Sequence, residues 1–377
     1  MPFGTPQRSN ARSAPVNGQP RESRVTNHAL PPTTTSQNSV NAPSRAAPPQ
    51  TKTAFAPASL SNLGPGFDTL GLALGGIGDT IEAWRTDEPG VRVVPSEDPS
   101  APTIPLDPTQ NTAAVAAAQV LDEARRARSS PSSSVLDGGG IALRIEKGIP
   151  IGSGIGGSAA SAAAGAGAAN QLLDEPFGKE ALVEAVLAGE EIASGSRHGD
   201  NALPALLGGL LLVSPENPSV YRRLALPAPL PVALVVPDLS ILTSDARNIL
   251  PERVARTDAT ATAAALAFMV DAFRCGDYET VGECMMSDRL VEPARARLVP
   301  CYEAVRRAAM EAGALGCALT GSGPALFALA ESDERAAAVA DAMQQASREA
   351  GVEAARFVTR ADDGGLRRGG CAGRTDA

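Results

Sequence analysis

The sequence predicts an α+β protein built from two folded parts, and three observations carry that reading. Apolar runs with strand and helix periodicity both recur from about residue 53 to residue 360. A proline-rich stretch, LALPAPLP at 224–231, marks a domain boundary at about residue 223. Beyond it the elements follow the order β-α-β-β-α-β, that of a ferredoxin-like sandwich, once the middle helices are taken as one layer.

The elements follow in order. Thr53–Ala56 reads as a short strand leading into a Pro/Ser/Asn/Gly loop, with a second strand containing Ile81–Trp84 and a third at VRVVP. NTAAVAAAQVLDEARRA (111–127) has helical spacing, and Asn111 suits its cap. SSPSSS is a loop, and IALRIEKGIP is a strand and a turn. Helices are expected at 158–173 and 179–194, followed by a helical turn and strand in NALPALLGGLLLVSP. In the second part, a strand (VALVVP) precedes helices at 257–274, 277–287 and 301–312. GCALTGSGPALFALA supplies two strands, and a helix over 333–350 and the strand VEAARFVT complete the pattern. Residues 1–51 are Pro/Ser/Thr/Asn/Gln-rich with little to bury, so a disordered tail is expected there. Their Arg-rich, acid-poor composition also suits a transit peptide, against which stands the scarcity of apolar residues. Residues 362–377 read as a second disordered tail.

Composition narrows the function. Among 377 residues, 42 are acidic and 33 basic, a net charge of −9, and 3% are aromatic. That balance disfavours nucleic acid and anionic membranes as partners. Five cysteines without a CxxC pair, and no run of membrane-spanning length, suit a reducing, cytoplasmic compartment. With His28 and His198 the only histidines, a His-rich metal site is nearly excluded.

The chemistry concentrates in EKGIPIGSGIGGSAASAAAGAGAANQLL (146–173), a glycine-rich turn running into an alanine-rich helix. Helix N-termini offer unpaired N–H groups and a positive dipole end, and glycines let an anion approach them, so phosphate is the natural guest. Gly152, Gly154 and Gly157 match the dinucleotide fingerprint, but Gly148–Pro150 separates the turn from its strand, and helix–turn–helix follows where a second strand is needed. The Walker A loop fails because no Lys is present. A Gly/Ala-rich helix packed closely on a sheet would explain the alanines, but not the glycines ahead of Ser158.

IPIGSGIGGSAAS resembles the phosphate loop of the GHMP kinases. PASLSNLGPGFDTLGLAL (57–74) is similar to that family's first motif and LTGSGPALFAL (319–329) to its third. EEIASGSRHGDNALPALLGG (190–209) is similar to the segment that carries H-x-D-N in the family's homoserine kinase branch. The resemblance covers about residues 53–360. It implies an N-terminal ribosomal-protein-S5-like α/β domain (52–223) and a C-terminal ferredoxin-like sandwich (224–361). It also implies ATP and Mg²⁺ as cofactors and a homodimer.

By the same resemblance, Pro150, Ile151, Gly152, Ser153, Gly154, Ile155, Gly156, Gly157, Ser158, Ala159 and Ala160 hold the nucleotide with Gly321, Ser322 and Gly323. Asn111 lies near the adenine, and Ser158 and Glu190 ligate the metal. Gly157-Ser158 stands where the family has Ser-Ser, so one hydroxyl is lost. Ser59 stands where galacto- and mevalonate kinases have a Lys, which favours homoserine as acceptor. Asn62, Asp68, His198, Asp200, Arg247 and Arg295 match substrate contacts. The chemistry agrees: Arg247 and Arg295 suit a carboxylate, and Asp68 and Asp200 an ammonium. Arg297 is a rival to Arg295, which lies at the family's spacing from Glu292-Pro293. Asp200 and Asn201 are the catalytic candidates, with no general base evident, because Asn201 cannot accept a proton. The expected activity is phosphorylation of the side-chain hydroxyl of L-homoserine in threonine biosynthesis. Another small alcohol as acceptor, or a non-catalytic nucleotide-binding role, are the alternatives.

Overall fold

In the computed structural model, the described residues are 50–127 and 139–370. The chain opens with β1 (Lys52–Asn62), a tight turn, and β2 (Gly66–Thr86), which run antiparallel along their length. A loop is expected over PASLSN from its composition. The structure makes it the second half of β1, because Pro57 falls where the register shifts between Pro57 and Ala58, and a bulge tolerates the missing donor. β3 (Gly90–Val94), α1 (Thr112–Ala127) and β4 (Gly140–Glu146) follow, with β3 and β4 parallel. Next come α2 (Gly157–Leu172), a 3₁₀ turn at Lys179–Leu182 leading into α3 (Val183–Ser194), α4 (Gly199–Leu207) and β5 (Leu210–Val213). β6 (Tyr221–Leu224) was missed: YRRL is short, polar and paired only with β5.

These six strands form one sheet, to which a short C-terminal strand adds a seventh. β2 is its spine, pairing β4 through residues 80–86 and β5 through residues 70–72. Against it packs α2, whose residues from Ala159 to Ala169 are all buried; a helix apolar all round belongs inside. Small residues let it approach its neighbours backbone to backbone. A Cβ added at Gly165 would stand 2.5 Å from the Ala113 carbonyl oxygen of α1. Tight helix packing therefore does account for the alanines.

The second sheet starts with β7 (Pro231–Pro237). α5 (Thr243–Asn248), α6 (Arg256–Cys275), α7 (Tyr278–Met285), α8 (Glu292–Arg295) and α9 (Tyr302–Glu311) precede β8 (Gly316–Leu319) and β9 (Leu326–Leu329). α10 (Asp333–Glu349) and β10 (Ala354–Arg360) complete it. The order β10-β7-β9-β8, antiparallel throughout, is that of the expected sandwich. α5 and α8, at 6 and 4 residues, are too short to print a helical period.

The tail expected from residue 362 is a correction. Through residue 370 the chain folds back across the first sheet, and β11 (Arg367–Arg368) pairs with β1 at Ala54 and Phe55. Leu366 is buried, and the Arg367 guanidinium stacks 4.1 Å from the Phe55 ring centroid. One apolar residue among glycines and arginines gives no period, so this strand was invisible in sequence. Residues 371–377, the expected N-terminal tail up to residue 49, and the SSPSSS loop lie outside the described residues.

Candidate active site

A cleft of about 470 Å³ opens at the N-terminus of α2. Gly156 caps that helix in the left-handed region (φ 72°) without a side-chain partner, and the first helical bond runs from Ala160 N–H to the Gly156 carbonyl. The N–H groups of residues 157–159 therefore have no intrahelical acceptor. The turn before it is folded tightly against two other segments. A Cβ at Gly156 would stand 2.2 Å from Ser59 Oγ, and one at Gly154 2.5 Å from the Gly323 carbonyl oxygen. Both positions also need positive φ, so glycine is required there twice over. The backbone adds Ser59 N–H to the Ile155 carbonyl (3.2 Å) and Ala325 N–H to the Ser153 carbonyl (3.2 Å).

The loop from Pro150 to Ser158, apart from Ile155, lines the cleft together with Gly321 and Ser322. The side chains of Ile155, Ala159 and Ala160 point into the core, fully buried, and Gly323 lies behind the loop. Asn111 also lines the cleft. Its Oδ1 caps α1 through the N–H groups of Ala113 (3.1 Å) and Ala114 (3.2 Å), and its Nδ2 donates to the Pro105 carbonyl (2.8 Å).

Two buried carboxyls face this end of the helix. Burial pushes Glu190 up to about 7, a rise aided by the charge of Asp200 and opposed by a hydrogen bond from Ser158 and by Lys147. Its Oε2 has no hydrogen-bond partner. Burial, and then the charge of Asp68, push Asp200 up to about 7 as well, although Asn201 N–H donates to its Oδ1 (3.1 Å). A buried oxygen left without a partner is costly unless something else occupies it. Among the described residues no cluster of three or more His, Cys, Asp or Glu could hold a metal.

The other wall of the cleft is charged. Phe67, which sequence reasoning passed over inside GPGFD, carries the guanidinium of Arg295 5.0 Å from its ring centroid and that of Arg247 at 5.7 Å. Arg247 grips Asp68 with two bonds (2.9 and 3.3 Å). Arg295, on the four-residue helix α8, is buried. It donates from Nε to the Ala246 carbonyl (3.1 Å) and from Nη1 to the Gly321 carbonyl (2.7 Å). His198 Nδ1 stands 4.0 Å from Asp68, and its Nε2 meets the Ser196 hydroxyl. Burial, with Arg247 and Arg295 nearby, lowers its pKa. Asn62 and Asp68 both take positive φ (70° and 54°), a local cost that functional sites tolerate. Asn62 joins the first and third motifs, donating to the Gly321 carbonyl (3.1 Å) and accepting from Asp68 N–H (3.3 Å).

Asn201 sits between the two walls. Its Oδ1 accepts from the Ser59 hydroxyl (2.9 Å) and its Nδ2 donates to the Ser61 hydroxyl (2.9 Å), so both ends of the carboxamide are held. All the residues expected to contact substrate thus line one cleft with the loop. Arg297 lines a separate hollow with Glu292 and Tyr302, whereas Arg295 lines the cleft. Lys147, not singled out in sequence, also lines the cleft and is paired with the fully buried Asp79. Its signal was available: it is one of only three lysines and sits beside the loop.

A helix N-terminus with free N–H groups opening onto a cleft walled by two arginines and two aspartates, between an α/β layer and a split β-α-β sandwich, defines a class, and the relatives agree. The model of the GHMP kinases N terminal domain matches residues 112–209, and that of the GHMP kinases C terminal domain residues 269–349. The chain belongs to the GHMP kinase family. A homoserine kinase of Chlorobium phaeobacteroides is 36% identical over 301 residues, 79% of this chain and 92% of the relative. One of Xylella fastidiosa is 39% identical over 306 residues, 81% and 90% of the two chains. The crystal structure of homoserine kinase from Cytophaga hutchinsonii superimposes with a TM-score of 0.77 at 34% identity, covering 84% of this chain and 97% of that one.

Proposed function

We propose that this chain is an ATP-dependent homoserine kinase, transferring the γ-phosphoryl group to the side-chain hydroxyl of L-homoserine and yielding O-phospho-L-homoserine. One observation carries the reading. The N-terminal end of α2 opens onto the same cleft as two aspartates and two arginines that stack over Phe67. The identity to homoserine kinases over most of the chain supports it.

In this reading the triphosphate lies over the loop and the free N–H groups of residues 157–159, where the helix dipole favours negative charge. The donor set at Glu190 fits a nucleotide-bound magnesium ion, because one buried oxygen lacks a partner and the Ser158 hydroxyl is beside it. Glu190 and Ser158 would hold that ion, which supplies positive charge against the phosphate oxygens. The acceptor enters by exchange. Its carboxylate takes the place of Asp68 on Arg247, and its ammonium takes the place of Arg247 on Asp68, so no charge is left buried and unpaired. Asn201, fixed by Ser59 and Ser61, orients the hydroxyl. Catalysis then rests on alignment and electrostatics, with the hydroxyl proton leaving to phosphate or water.

A coupled assay of ADP release tests the reading. L-homoserine should support turnover, while L-serine, L-threonine and mevalonate should not; preference for any of the last three would refute it. Asp200→Asn separates binding from base catalysis. KM for homoserine should rise while kcat stays within about tenfold, whereas removing a general base costs about 10²–10⁴ in rate.

A further inference from the structure

Beneath the phosphate loop lies a buried group that none of the roles above uses. Asp79, in β2, is wholly inaccessible. Its Oδ1 accepts the N–H groups of Gly148 (3.1 Å) and Ile149 (3.2 Å), at the start of the loop. Its Oδ2 accepts the Ser161 hydroxyl (2.6 Å) and the Lys147 ammonium. Lys147 in turn donates to the Gly157 carbonyl (2.9 Å), at the loop's end, and to Ser161 Oγ (3.1 Å). An ammonium has three protons, so all three are committed within the protein.

We infer that Asp79 is the positioning residue of the nucleotide loop, which it clips shut through Lys147, a role that rests on the nucleotide reading above. One carboxylate joins the first turn of the loop, the first turn of α2 and the strand beneath both. The segment between the two tied ends contains four glycines among Pro150–Gly157, and such a chain loses much entropy on ordering. Holding its ends in advance lets its amides meet the triphosphate without ordering the loop at that moment. Lys147 lines the cleft but has no proton to give a phosphate, so its part is to transmit the hold of Asp79 to Gly157.

The clip makes an unusual prediction of sign. Removing a negative charge beside a triphosphate should tighten binding if charge alone governs. Under the clip, Asp79→Asn weakens ATP about tenfold or more, because the loop is no longer held. Calorimetric affinity for ATP and deuterium exchange of the ligand-free loop amides over 148–157 test it in the full chain. Expected are weaker ATP binding, faster exchange confined to the loop, and an unchanged KM for homoserine. Asp79→Asn combined with Lys147→Met should be no worse than Asp79→Asn alone, since both break one device. ATP affinity equal to or above that of the unaltered chain, unchanged loop exchange, or additive losses would overturn the inference. If Asp79→Asn does not fold, Lys147→Met and Ser161→Ala take its place: both should weaken ATP and loosen the loop, and no change in either overturns it. Should the unaltered chain itself fail to bind ATP, the nucleotide reading falls. Should it bind ATP without phosphorylating homoserine, the choice of acceptor falls and the clip is still judged by its variants.

Discussion

At the scale of single residues, the site is governed by carboxyls kept partly protonated. Burial pushes Glu190 up to about 7, so part of it is protonated at neutral pH. If Glu190 holds the ion as proposed, it must be deprotonated, so binding of Mg²⁺-ATP at pH 7 should release part of a proton. Calorimetry in buffers of different ionisation heat would read it, and Glu190→Gln should abolish the release while leaving the protein folded. Glu190, Asp200 and Glu292 are all raised to about 7, each first by burial. The unfolded chain loses these protons near pH 4 and the folded chain near pH 7. Between those values the folded state holds more protons, so stability falls as pH rises through the window. The ligand-free protein should be more resistant to denaturant at pH 5.5 than at pH 7.5, by about 2 kcal/mol or more. The residues that could be named from sequence were those standing at motif spacing, such as Asp68, Arg247 and Asn201. Phe67, Ser61 and Asp79 could not be, because their roles come from contacts between strands and loops distant in the chain.

At the scale of elements, α2 sets the tolerance of the whole first layer. Gly165→Ala would gain about 1 kcal/mol in helix propensity. The added methyl group, however, meets a backbone oxygen of α1 at 2.5 Å, and a backbone gives way less readily than a side chain. Overpacking of that kind costs about 1–3 kcal/mol, so the substitution should be net destabilising in urea titration. The long helices and the split order of the second sheet were legible because period and length speak for themselves. The short elements α5, α8, β6 and β11 were not, since 2 to 6 residues hold too little pattern. This matters to function, as α5 carries Arg247 and α8 carries Arg295. Motif spacing singles out those arginines in the sequence, but not the short helices that carry them.

At the scale of the whole molecule, the segment from Asp362 to Gly370 ties the end of the second sheet to the start of the first. Asp362 N–H donates to the Ala73 carbonyl (2.9 Å), Leu366 N–H donates to the Leu206 carbonyl (3.0 Å), and β11 covers the edge of β1 at Ala54 and Phe55. Leu366→Ala should cost about 2–3 kcal/mol of stability without changing either KM, read by chemical denaturation and steady-state rates. The pairing of Ala54 with Arg368 has a kinetic side too. A strand near the beginning of the described chain waits for a partner almost at its far end, and contacts so distant form slowly. Until that partner arrives, the rim of β1 around Ala54 and Phe55 offers bare peptide donors and acceptors, the kind of surface on which chains stick to one another. Refolding yield should therefore fall with protein concentration more steeply than the finished native state, with that rim covered, would suggest.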